Sequence, residues 1–262
     1  MDRLKTYILI TIVITVCLLF GCSRRSSAGI TENNIPPERI SAALTQIETA
    51  FKNRQDTEQL QKALAGLDAV RNSGQRSYDV EWKFAKYSYF LAKATPDPAE
   101  GERIFERGRD AGNIASRLEP NRPEGYFWFA ANLGEMSRRS PVTVGIKSVD
   151  DIREAMNKVV ELQPDYQNAS AFDGLAQVEL ATRLTGDGKA DKAVELLEKG
   201  LTYDKDNAFL RLHLGEAYLA VKKDAQAKEQ LEYVLKMRPN PDYLPEHEEC
   251  VAKAKKLLDT NF

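Results

Sequence analysis

"RLHLGEAYLA", residues 211–220, is the stretch whose reading decides the fold. Leu214, Gly215 and Tyr218 sit within it, and Ala227, Leu231 and Pro239 follow downstream. Each residue type has a physical reason to stand where it does in a pair of antiparallel helices. Gly215 and Ala227 are small where two helices approach closely, while Tyr218 and Leu231 fill the space between neighbouring pairs. Pro239 ends the second helix, because it has no backbone N–H to continue the ladder. Ala193, Leu197 and Lys205 stand 34 residues upstream of Ala227, Leu231 and Pro239. "AVELLEKGLTYDKDN" (193–207) therefore reads as the second helix of the preceding unit, and the period marks stacked helical hairpins.

The spacing of Arg211, Leu214, Gly215 and Tyr218 resembles the tetratricopeptide pattern W-x2-L-G-x2-Y, with Arg211 in the tryptophan slot. Pro164 in "VVELQPDY" and Pro120 in "SRLEPNRP" read as the closing proline of earlier units. Their intervals, 44 residues from Pro120 to Pro164 and 41 from Pro164 to Lys205, exceed the period. Two loops take up the excess, "SRRSPVTVGIKS" (137–148) and "LTGDGK" (184–189). Further upstream the pattern degenerates: in "EWKFAKYSYFLA" only Trp82 and Tyr89 match their slots. No stretch alternates with period two for long enough to argue for a sheet. Helices are expected near 37–53, 56–72, 79–94, 97–118, 122–138, 148–162, 166–184, 188–202, 207–221, 223–236 and 243–260. The fold class is all-α, a tetratricopeptide-type superhelix of helical hairpins with degenerate N-terminal units. Residues 37–72 are expected to form a capping hairpin, since terminal repeats are atypical.

The N-terminus reads differently. Arg3 and Lys5 precede the uncharged run Tyr7–Phe20, whose fourteen residues fall short of the roughly twenty that a spanning helix needs. That is the layout of a signal peptide. Leu19-Phe20-Gly21-Cys22 resembles a bacterial lipobox, which implies cleavage after residue 21 and acylation of Cys22. Residues 22–36 are polar and read as a tether, and residues 37–262 as the helical domain. The expected location is the cell envelope, with the chain held by its lipid to a membrane, the outer one, and facing the periplasm.

Without the leader the chain keeps 35 Lys+Arg against 38 Asp+Glu, so no basic excess points to nucleic acid. Cys17 leaves with the leader and Cys22 is assigned to lipid, so Cys250 has no partner for a disulfide. Catalysis finds little support, and neither a cofactor nor a metal is expected. Only two histidines are present. His213 lies inside the repeat signature, where it takes a groove-side or packing role. His247 and Cys250 in "HEEC" lie one helical turn apart, but a tetrahedral metal site needs three or four ligands. "TGDGK" (185–189) lacks phosphate-loop spacing and reads as a helix–helix turn. Asp150 and Asp151 read as solvated first-turn acids.

"GYFWF" (125–129) carries more information. Successive helical residues turn by about 100°, so four consecutive aromatics cannot all face one core. With Pro120 closing a unit, Tyr126, Phe129, Ala130 and Leu133 take inter-helix positions, and Phe127 and Ala131 face the concave side. The same register places Lys83, Tyr87 and Phe90, and further on Leu175 and Val178, on that side. Such a face is either a groove for an apolar ligand or partner helix, or a surface covered by helix 37–53 or 243–260.

"GYFWFAANLGEMSRR" and the long loop after it, the small residues around Gly174, the lipobox and the irregular repeats together resemble the T-component family of tripartite ATP-independent periplasmic (TRAP) transporters. The resemblance runs over roughly 75–240, with Tyr126–Gly134 its most distinctive part. It implies a lipid-anchored, helical, non-enzymatic protein that associates as a homotrimer. It also implies partners: the transporter's periplasmic solute-binding protein and an apolar small molecule. No residue role is carried over with it. The alternative is a scaffold lipoprotein that assembles envelope proteins through protein–protein contacts.

Overall fold

A computed structural model of the chain describes residues 35–72 and 74–262. The expected leader, Cys22 and all but the last two residues of the tether lie outside the described residues. Eleven α-helices account for most of the rest. In chain order they are α1 (Pro37–Lys52), α2 (Thr57–Asp68), α3 (Tyr78–Ala94), α4 (Pro98–Leu118), α5 (Pro123–Arg139), α6 (Ile146–Leu162), α7 (Tyr166–Thr182), α8 (Ala190–Tyr203), α9 (Ala208–Ala220), α10 (Asp224–Lys236) and α11 (Leu244–Asn261). Among the described residues there is no strand.

Local chemistry explains many of the boundaries. Pro37, Pro98 and Pro123 open their helices, where the missing N–H costs nothing. Asp56 and Asp97 cap α2 and α4, accepting from the backbone N–H groups of Gln59 and Ala99 at 3.0 and 2.9 Å. Asn207 caps α9 through Phe209 N–H at 2.9 Å. It also donates to the Asn168 carbonyl at 2.7 Å, which ties one repeat to the next.

Neighbouring helices pair as hairpins, and the odd-numbered helices also touch their next-but-one neighbours, so α1, α3, α5, α7, α9 and α11 line the inner side. Gly215 makes the close approach expected of it: a Cβ there would lie 2.8 Å from Leu231 Cδ2. At Gly112, where α4 crosses α5, a Cβ would lie 2.5 Å from the Phe129 backbone nitrogen. The core runs in three clusters. One joins α1 to α7, one centres on Phe172, Leu197, Leu210 and Leu214, and one lies between α9, α10 and α11 around Leu212, Leu231 and Cys250.

Two features depart from a plain repeat. The loop after α5 is wound as a π turn, Pro141–Gly145, that leads directly into α6, so this helix starts two residues earlier than expected. At the start of α7, Gln167, Asn168 and Ala169 hold left-handed dihedrals, with φ of 50°, 58° and 61°. Non-glycine residues adopt that region at a cost of roughly 1–2 kcal/mol each. Fully buried Ala169 and the Asn168–Asn207 hydrogen bond hold the turn in place.

Candidate binding groove

The inner helices enclose a groove of about 1810 Å³. Its apolar wall comes from Tyr89 and Phe90 on α3, Phe127, Trp128, Ala131 and Gly134 on α5, and Val178 on α7. Residues 127, 131, 134 and 138 form one stripe along α5, at the spacing that keeps side chains on one helical face. Phe127 packs edge-on, 5.0 Å from Trp128 and 5.3 Å from Tyr166, and Phe90 lies tilted 5.8 Å from Trp128. The Trp128 indole N–H donates to the Tyr166 hydroxyl at 3.2 Å, so this wall is locked rather than fluid.

Much of the remaining lining is polar. His213 on α9 meets Asp173 on α7, Nδ1 to Oδ1, at 2.5 Å, and its Nε2 lies 3.9 Å from Glu216. Burial pulls the His213 pKa down, but the neighbouring Asp173 carboxylate and then Glu216 outweigh it, so the net shift is upward despite repulsion from Lys253. Burial, and then the carboxylates of Glu135, Glu249 and Asp173, push the Tyr89 phenol well above its ordinary value. The side-chain amide nitrogen of Gln177, one turn along α7 from Asp173, is buried in the groove wall without a hydrogen-bond partner among the described residues.

Helix α11 crosses to the first hairpin. Glu246 pairs with Arg54 at 2.6 Å and Glu249 with Lys93 at 3.2 Å, which joins the last inner helix to the turn after α1 and to the end of α3.

Three of the six residues expected on the concave face, Phe90, Phe127 and Val178, line the groove, Phe90 half-buried and Phe127 and Val178 as buried members of the core that backs it. Tyr87, Leu175 and Lys83 do not, and the reason is helical phase. The groove face of α3 runs through Tyr89, Phe90 and Lys93, which turns Tyr87 toward α1, where Phe51 covers it at 5.0 Å. Lys83 lies on the same flank and pairs with Glu48. On α7 the groove face is Ser170, Asp173, Gln177 and Ala181, so Leu175 lies about 200° from Asp173 and is buried in the core. Helix 37–53, weighed in the sequence as a cover, therefore covers one flank and leaves the groove open beside it. His213 stands on the groove side. Reading the sequence missed Trp128, Tyr89 and Asp173; a stripe drawn one residue earlier along α3, through 82, 86 and 89, would have found Tyr89.

Among the described residues no three His, Cys, Asp or Glu side chains gather in a metal-binding group. Cys250 is buried, and burial first, then Glu249 and Asp173, push its thiol up to about 12. No helix of the described residues is long and apolar enough to cross a membrane.

A family model described as "Regulator of microtubule dynamics protein 1-3" matches residues 43–261. No curated protein matches the chain. Among solved structures, a thermophilic TPR protein of Thermus thermophilus is similar over 82% of this chain and 98% of its own, at 16% identity and a TM-score of 0.56. MamA (41-end) from Desulfovibrio magneticus RS-1 is similar over 76% and 94%, at 16% identity and a TM-score of 0.52. The Pseudomonas aeruginosa pilF protein is similar over 86% and 92%, at 14% identity and a TM-score of 0.52. These likenesses concern the fold, a tetratricopeptide-type helical superhelix.

Proposed function

The chain belongs to the family described as regulator of microtubule dynamics protein 1-3, and from that premise we propose that it is a non-catalytic adaptor whose concave groove holds a segment of a partner protein. The observation that carries this reading is the size and lining of the groove. Small-molecule pockets reach about 1,000 Å³, and this groove is about 1810 Å³ with one aromatic wall and much of the remaining lining polar. A helix of about 10 Å diameter would fill such a volume over roughly four turns. The family description also names a regulator.

The test is a photo-crosslinking amino acid placed at Ala131 in the groove and, for comparison, at Glu195, which is exposed on α8. On this reading a discrete protein adduct forms from position 131 and not from 195. Equal adducts from both positions, or none from either, would rule it out.

A transport role is the second reading, and one observation favours it: the segment Tyr126–Gly134, on which the TRAP T-component resemblance rests most, supplies Phe127, Trp128, Ala131 and Gly134 to the groove. The occupant would then be an apolar small molecule or the solute-binding protein, and three copies would associate. Native mass spectrometry separates the two readings. A co-purifying small ligand and a trimer support transport; a ligand-free monomer supports the adaptor. On either reading we propose that Cys22 carries lipid and holds the chain in the cell envelope, facing the periplasm. Radiolabelled palmitate should enter the wild type and not Cys22→Ser, and equal labelling of both would contradict the anchor.

A further inference from the structure

We propose that Arg54, Lys86 and Lys93 form a docking site for an acidic segment of a partner protein, which α11 of this chain occupies in cis through Glu246 and Glu249. The proposal rests on the adaptor reading above and names the chemistry of the partner.

The site begins with a continuous aromatic platform. Phe51 lies 4.8 Å from Phe90, Phe90 lies 5.3 Å from Tyr89, and both Phe90 and Tyr89 lie within 6 Å of Trp128 (5.8 and 5.7 Å). Three cations rest on these rings. The Arg54 guanidinium sits 5.0 Å from the Phe51 centroid, the Lys86 ammonium 4.7 Å from the same ring, and the Lys93 ammonium 5.8 Å from Tyr89. Rings this close hold cations partly desolvated and in fixed places, which suits them to receive anions.

The anions now present come from far along the chain. Glu246 reaches Arg54 across 192 residues and Glu249 reaches Lys93 across 156. Glu246 and Glu249 are three residues apart, the spacing that puts two carboxylates on one helical face. Neither of them pairs with Lys86. Lys86 has ring contacts but, among the described residues, no carboxylate within ion-pair distance, and the nearby Glu48 is engaged by Lys83. Burial first, then repulsion from Lys83, lower the Lys86 pKa; Glu48 pulls it back up and Arg54 pushes it further down.

The helix that fills the site is anchored in the core from Cys250 onward, with Val251, Leu257 and Leu258 packed around Cys250 and Ala254, while its first turn, which carries Glu246, buries no residue. Only Cys250 and Ala254 of α11 are buried, and the segment before it, residues 237–243, contains Pro239 and Pro241. A partner helix with two carboxylates one turn apart would offer Arg54 and Lys93 the same two ion pairs and add a contact to Lys86 that α11 does not make. The first turns of the chain's own last inner helix thus make the two ion pairs that a partner's acidic segment would make.

The probe is a fluorescein-labelled peptide copying residues 241–258, PDYLPEHEECVAKAKKLL, titrated by anisotropy against the full-length protein. In Glu246→Gln/Glu249→Gln protein, where the cis carboxylates are gone, the peptide should bind saturably, and about tenfold more tightly than to the wild type. Replacing the two corresponding glutamates of the peptide by glutamine should weaken binding by about tenfold. Lys86→Met in the same protein, which keeps the apolar stem, should weaken it similarly, and Arg54→Gln provides a second, independent variant. Circular dichroism of each variant should match the wild type. Equal binding of the Glu and Gln peptides, binding indifferent to both Lys86→Met and Arg54→Gln, or no binding at all would overturn the proposal. If the position-131 adduct persists in any of those cases, the adaptor reading survives and only the acidic docking site falls.

Discussion

The C-terminal repeats and the N-terminal half reach the same helix-hairpin geometry by different physics. From α8 to α10 the hairpins are held by small-into-large contacts, Gly215 on Leu231 and Ala193 and Ala227 fully buried, with polar groups kept mostly outside. From α1 to α5 the packing instead depends on aromatic rings and buried polar groups. Glu81 is fully buried and receives Arg71 at 2.8 Å and Arg76 at 2.7 Å, while Arg71 stacks 4.2 Å from the Phe84 ring. Asn132, also fully buried, donates to the Ala85 and Trp128 carbonyls at 3.0 and 2.7 Å and so pins α5 to α3. A repeat interface made of interchangeable apolar contacts tolerates change. One made of a few buried polar contacts fixes the helices in register, and it is on that fixed half that the aromatic groove wall stands.

Mutations can break this contrast in graded steps. Glu81→Ala strands Arg71 without its buried partner and should cost about 3–5 kcal/mol in urea denaturation; a loss below about 1 kcal/mol would mean the N-terminal half does not rely on that carboxylate. Gly112→Ala sets a methyl group against the Phe129 backbone, which cannot rotate away, and should cost about 1–3 kcal/mol. Gly215→Ala meets chiefly the Leu231 side chain, with Cδ2 and Cγ at 2.8 and 2.9 Å, rather than a backbone, and gains up to about 1 kcal/mol of helix propensity. Its net effect should therefore be smaller, and a reversed order of the two glycine variants would mean that the C-terminal contacts are the rigid ones.

The smallest of these effects is a titration. His213 has a folded pKa raised above its ordinary value of 6.5. The stability it draws from Asp173 is therefore fully present below 6.5 and is lost as pH rises through the raised folded value. Asp173→Asn should lower the His213 midpoint in an NMR titration, and its stability deficit should narrow as pH rises. An unchanged midpoint would show that the pair is not coupled.

How much of this was legible in the sequence depends on how local the signal is. All eleven helices were expected within two residues at every end but one, because caps, prolines and apolar spacing act over a single turn; the larger miss, four residues, falls at the end of α2. The contact between Gly215 and Leu231 was legible because the repeat reserves small and large slots for it. Phase on α5 was legible from Pro120, so Phe127 was placed on the groove side. On α3 and α7 there was no equally clean marker, and Tyr87 and Leu175 came out a fraction of a turn away from the groove. The His213–Asp173 and Arg54–Glu246 pairs span 40 and 192 residues. A single sequence carries no local pattern that joins such partners.

The central claim is that the concave groove is a place for a partner rather than a by-product of curvature. Gly134 offers the most direct test, since it lines the groove and a Cβ there would meet nothing within 4 Å. Gly134→Trp should therefore fill the groove without disturbing the fold. The measurement is the yield of the protein adduct from a photo-crosslinker at Ala131, with the melting temperature recorded alongside. The expected result is a melting temperature at or slightly above the wild type and an adduct reduced by about tenfold or more; an undiminished adduct from a protein that melts normally would contradict the claim.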